Sequence, residues 1–125
     1  MVLAAAMGGA LGSALRYVVG VAVVQRAGPG FPWGTLLINL SGSFAIGIIA
    51  ELTQTRAFGA SVFLRVFLMV GVLGGFTTFS TFAFETTGLM REGAAPLALA
   101  YVVGSVVIGV AAAFAGMALV RIFQH

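Results

Sequence analysis

The chemically densest stretch of the chain runs from Gly71 to Gly88: Gly-Val-Leu-Gly-Gly-Phe-Thr-Thr-Phe-Ser-Thr-Phe-Ala-Phe-Glu-Thr-Thr-Gly. The hydroxyls of Thr77, Thr78, Ser80, Thr81, Thr86 and Thr87 stand beside Phe79 and Phe82, three positions apart and so neighbours on one helix face. Hydroxyls donate hydrogen bonds, and an aromatic ring has a positive edge that attracts an anion without the fixed cation that would trap it. Read in isolation, the same two rings would pack against lipid or a neighbouring helix.

Other polar residues in apolar surroundings suit the same ligand. The Asn39 amide offers two donors and shares a face with Ser43 and Gly47 at four-residue spacing, which also suits an interhelical hydrogen bond. Tyr101, Ser105 and Gly109 repeat that spacing, so a hydroxyl stripe would continue a polar path. Glu85 would pair with Arg16 or sit at a pathway mouth. Metal and thiolate chemistry lack their usual ligands, because there is no cysteine and the one histidine is His125, the last residue. Six arginines against three glutamates give a net charge of +3, but the arginines are scattered, so no nucleic-acid footprint follows.

The elements that must position these residues are set by composition. With 61% hydrophobic and 7% charged residues in 125, the chain has more apolar surface than a soluble domain of its size can bury. A crossing needs about 20 apolar residues, so the chain has room for four or five spans and none for a separate catalytic domain. Its start lacks a basic leading region and is expected to be a retained span rather than a removable signal. Charges and prolines divide the sequence into four helices, expected at residues 2–25, 33–51, 62–90 and 95–121 of a single transmembrane domain over 1–125. Asn39 then lies about six residues, roughly 9 Å, inside the second span.

The third span is not an ordinary one. Gly74-Gly75 followed by β-branched and aromatic residues has poor intrinsic helicity, which places a break, or a kink held by threonine hydroxyls, near Gly74 to Thr78. A midplane break is tolerated only where it is buried in protein or lines a cavity or ion site. Small residues at four-residue spacing, Gly8 with Gly12, Ser43 with Gly47 and Ser105 with Gly109, mark packing seams. Both termini fall on one side, with Arg56, Arg65 and Arg121; Arg26 and Arg91 fall on the other, and Arg16 lies inside the first span. Three basic residues against two scarcely select an orientation, which leaves insertion both ways open, and two opposed copies would form an antiparallel dimer.

Three fragments in order, Gly8-Gly9-Ala10-Leu11-Gly12-Ser13-Ala14-Leu15-Arg16-Tyr17, Gly34-Thr35-Leu36-Leu37-Ile38-Asn39-Leu40-Ser41-Gly42 and Gly74-Gly75-Phe76-Thr77-Thr78-Phe79-Ser80-Thr81-Phe82, resemble the CrcB/Fluc family of fluoride channels, and the likeness covers nearly the whole chain. The resemblance implies an all-α membrane protein, an antiparallel dual-topology homodimer in the inner (plasma) membrane with two fluoride pores between subunits. It implies Asn39 as the pore amide, Phe79 and Phe82 as a shared aromatic box, and Ser80 and Thr81 as hydroxyl contacts. Glu85, Tyr101 and Ser105 would finish the track, Arg16 would draw anions into a vestibule, and the carbonyls of Gly74 and Thr77 would hold a structural sodium ion at the dimer centre. Gly109 and Ala113 stand where the family would continue the fourth-span hydroxyls, which leaves the far part of the track open. The partners implied are fluoride, sodium, lipid and a second copy; no nucleic acid and no enzymatic step are expected.

A short path of amide, hydroxyl and ring-edge donors can replace the water of a small, strongly hydrogen-bond-accepting anion. Two other readings compete. A small proton-coupled multidrug exporter shares this length but needs a carboxylate in the first span, where this chain has none. A structural subunit of a membrane complex would use the glycine seams but leaves the break and Asn39 without a role.

Overall fold

The computed structural model describes residues 1–54 and 61–124; Arg56 and His125 lie outside the described residues. The described chain is all helical. Its order is α1 (Val2–Ala27), α2 (Trp33–Gln54), a third span in pieces, and α6 (Ala95–Phe123). The third span consists of α3 (Val62–Arg65), a π-helical segment (Val66–Leu73), α4 (Gly74–Phe76) and α5 (Phe79–Arg91). Among the described residues four stretches are long and apolar enough to cross a membrane: Val2–Ala27, Trp33–Gln54, Val62–Arg91 and Ala95–Phe123. They match the four expected spans to within three residues at every end, because arginines, prolines and glycines interrupt the apolar runs at the same places.

Local chemistry sets the ends. Gly28 closes α1 at φ 78°, a left-handed conformation glycine adopts without penalty, and its amide donates to the Val24 carbonyl. Ser61 caps the third span by accepting from the Leu64 amide at 3.3 Å. Gly93, at φ 77°, turns the chain between α5 and α6, and Pro96 sits in the first turn of α6, where no intrahelical donor is lost.

Two seams hold the bundle. α2 lies along α6, where a methyl group at Gly47 would collide with the Ala113 carbonyl and one at Gly116 with the Phe44 carbonyl. α1 lies along the π-helical segment and α4, with Gly8 against the Phe67 carbonyl and Gly12 against the Val72 carbonyl. Such contact brings backbones together in lipid, where burial of apolar area gives no drive. Gly8–Gly12 and Gly47 thus pack as expected. The Ser105–Gly109 pair is looser: a methyl at Gly109 would rest 3.7 Å from Ser43 Oγ.

At the end far from the termini, fully buried Tyr101 forms a small core with Leu89 and Ala98, covered by Phe31, Leu36 and Phe82. At the terminus end Arg121 binds Glu51 in a fork, Nε to Oε1 at 2.9 Å and Nη2 to Oε2 at 3.0 Å. This tie joins α2 to α6 and pairs one of the arginines counted above with a carboxylate.

Candidate functional site: the break in the third span

The break falls at Thr77 (φ −77°, ψ 156°) and Thr78 (φ −149°, ψ 119°), two extended residues between α4 and α5. It lies at the C-terminal edge of the expected window, and Gly74 and Gly75 are still helical. The reason is packing: a methyl at Gly75 would lie 2.6 Å from the Gly9 carbonyl, so this glycine serves the α1 seam rather than the bend. Hydropathy gives no sign of the π-helical segment that precedes it, in which the Gly74 amide donates to the Met69 carbonyl five residues back.

Asn39 holds the break from α2. Its Nδ2 donates to the Thr78 carbonyl at 3.0 Å, and its Oδ1 accepts from the Thr78 amide at 2.8 Å. The interhelical bond that the spacing left open is therefore formed, and Nδ2 carries a second hydrogen beyond it. Thr78 in turn caps α5, accepting from the Thr81 amide at 3.2 Å and donating to the Thr81 hydroxyl at 3.0 Å.

Two cavities bring together some of the candidate residues, while Ser80, Phe82, Tyr101 and Ser105 line neither. One, of about 330 Å³, is lined by Asn39, Ser43, Met69, Gly74, Thr77 and Phe79. The other, of about 620 Å³, lies between α1, α2 and α5 and is lined by Arg16, Tyr17, Thr35, Thr78, Thr81 and Glu85 among others. Thr78 borders both.

Glu85 sits inside a three-helix knot. Its Oε1 accepts from Thr35 at 2.8 Å and its Oε2 from the Tyr101 hydroxyl at 2.7 Å. Arg16 lines the same cavity but forms no ion pair with Glu85, whose oxygens face hydroxyls instead. Thr35 was not singled out in the sequence; its one signal is a hydroxyl one turn before Asn39 on the same face.

Phe79 and Phe82 meet at a ring-centroid distance of 5.7 Å but differ in setting. Phe79 is 79% exposed, whereas Phe82 packs on Tyr101 at 5.0 Å. Of the hydroxyl ladder, Thr77, Thr86 and Thr87 donate to carbonyls of their own span, at Leu73, Phe82 and Phe84. Ser80 is exposed, with its hydroxyl 3.5 Å from that of Thr78. The Ser105 hydroxyl, one turn beyond Tyr101, is buried with no partner.

No cluster of three or more His, Cys, Asp or Glu side chains occurs among the described residues. A hard monovalent cation would instead have backbone oxygens, and Gly74 and Thr77, which line the smaller cavity together, are of that kind.

Comparison with known proteins identifies the family of the chain. The family described as "CrcB-like protein, Camphor Resistance (CrcB)" matches residues 3–117. A protein of Rhizobium meliloti (strain 1021) named "Fluoride-specific ion channel FluC" is 54% identical over 114 residues, covering 91% of this chain and 90% of that protein. A protein of the same name from Agrobacterium fabrum is 52% identical over 116 residues, covering 93% and 92%. One from Rhodospirillum centenum is 47% identical over 126 residues, covering 97% and 95%. With the family matched from the first span well into the fourth, the chain belongs to the CrcB family.

Proposed function

We propose that this protein is a passive, fluoride-selective channel of the inner membrane, which lets fluoride leave the cytoplasm. The observation that supports this most is the break in the third span, where an amide, hydroxyls and an exposed ring edge surround a cavity of about 330 Å³. Fluoride is small and accepts hydrogen bonds strongly, so amide and hydroxyl donors replace its water more fully than that of a larger, weaker acceptor. The names of the close relatives favour the same ligand.

In this reading Asn39 presents its remaining amide hydrogen to the ion, and Phe79 and Phe82 present ring edges. Ser80 and Thr81 follow, then Glu85, Tyr101 and Ser105 continue the polar track, and Arg16 draws anions into the larger cavity. A second, oppositely inserted copy covers the exposed Phe79 face, giving two pores in an antiparallel homodimer surrounded by lipid. The Gly74 and Thr77 carbonyls of both copies hold sodium between them. Sodium, when bound, would supply a positive charge to these otherwise unpaired carbonyl oxygens. Flux follows the fluoride gradient, and the protein is not an enzyme.

Purified protein in liposomes, followed with a fluoride electrode, tests the reading. Fluoride efflux at least a hundredfold faster than chloride efflux supports it, and equal rates or no fluoride efflux overturn it. Orientation is tested on the cysteine-free chain by single cysteines at Gln54 and at Ala94, at opposite ends of the bundle. A membrane-impermeant maleimide labels about half of each in intact cells if both orientations occur. Full labelling at one position and none at the other excludes the antiparallel dimer.

A further inference from the structure

We infer that Thr78 and Asn39 are positioning residues that release the Gly74 and Thr77 carbonyls for a cation by diverting the amides that would otherwise bind them. The inference rests on the sodium assignment proposed above and adds to it the device that makes the oxygens available. In an unbroken α-helix each amide donates to the carbonyl four residues back, so Thr78 would donate to Gly74 and Thr81 to Thr77. Neither bond is present. The Thr78 amide donates to Asn39 Oδ1 at 2.8 Å, and the Thr81 amide donates to Thr78 Oγ1 at 3.2 Å. The helical ladder continues only as far as Thr77, whose amide reaches the Leu73 carbonyl at 2.9 Å.

Each diversion rests on one side chain. Asn39 grips Thr78 at two points, so the peptide cannot swing back to Gly74 without losing both bonds. The Thr78 hydroxyl gives its own proton to Thr81 Oγ1 at 3.0 Å, which leaves its lone pairs to the Thr81 amide. Thr78 is only 8% exposed, so water does not readily replace that hydroxyl. Among the described residues no hydrogen bond ends on the Gly74 or Thr77 carbonyl, and an unpaired carbonyl at membrane depth is costly unless a ligand occupies it. The residues that end the helix are therefore the residues that prepare the site.

The test uses the full-length protein purified in detergent, with melting temperature followed as sodium replaces N-methylglucamine, and does not depend on conduction. Thr78→Val keeps the shape and removes the acceptor, so the Thr81 amide can return to Thr77; sodium affinity is expected to fall at least tenfold. Thr78→Ser restores the acceptor and is expected to respond within twofold of the parent. If Thr78→Val does not purify, Asn39→Leu, which frees the Thr78 amide to return to Gly74, is measured in its place with the same expected loss. A variant lacking the acceptor that keeps the parent's sodium response overturns the inference alone. A parent that shows no sodium response overturns the cation assignment and the inference with it.

Discussion

The third span has two halves that solve opposite problems. Its first half, Val66 to Phe76, lies backbone to backbone against α1, with Gly8, Gly12, Gly71 and Gly75 leaving no room for a methyl group. Its second half, from Thr77 onward, meets its neighbours through hydroxyls, an amide and a carboxylate and borders both cavities. The first half is closely packed because dispersion between close backbones is what holds helices together in lipid. The second half is open because its polar groups need partners, and with Gly74 at the end of the seam it borders the smaller cavity. The seam thus fixes the frame on which the break is held, and a change in either half should fail in its own way.

The largest effect is expected in the seam. Gly12→Ala drives a methyl into the Val72 carbonyl, which belongs to the backbone and cannot rotate aside. Overpacking of this kind costs about 1–3 kcal/mol, so the variant should give a markedly lower melting temperature or little monodisperse protein in size-exclusion chromatography. A normally folded Gly12→Ala protein would show that the two helices can part without loss and would break the comparison.

The rings of the second half come next. Phe79→Ile keeps bulk and removes the positive ring edge, so fluoride efflux is expected to fall several-fold, up to about tenfold, with little change in melting temperature, since Phe79 is 79% exposed. Phe82→Ile should lower both, because that ring also packs on Tyr101. Unchanged efflux with lowered stability in both variants would assign the rings to packing and move the second half toward the first in kind.

The smallest effect is expected away from both. The Glu51–Arg121 fork ties α2 to α6 near the terminus end, and the arginine side chain is 63% exposed. Glu51 itself is buried, but its partner stays largely in solvent and is screened there, so Glu51→Gln should lower the melting temperature modestly and leave efflux unchanged. A large loss of efflux would mean that the α2–α6 tie reaches the break.

How much of this was legible in the sequence follows the same division. The four spans and the Gly8–Gly12 seam could be read because apolar length and small-residue spacing are local properties. Asn39 could be picked out as an amide inside a span, but its partner Thr78 lies 39 residues away and nothing in the spacing names it. The Glu51–Arg121 tie, 70 residues apart, was out of reach for the same reason. The π-helical winding of Val66–Leu73 is a hydrogen-bond pattern, to which hydropathy is blind. Spacing shows where hydroxyls stand but not what they bind, and Thr86 and Thr87 turn to carbonyls of their own helix, as hydroxyls in helices commonly do. Glu85 was rightly marked as unusual at membrane depth, yet Thr35 and Tyr101 bind it where Arg16 was one expected partner.

The central claim, that the broken span serves passive movement of fluoride, is tested most directly by electrical recording from the purified protein in a planar bilayer. With fluoride and chloride on both sides and a tenfold fluoride gradient alone, the account predicts a steady current that reverses close to the fluoride equilibrium potential. Shifting the chloride gradient or imposing a proton gradient should leave that potential in place. A reversal potential that follows chloride or protons, or the absence of any current, would contradict it.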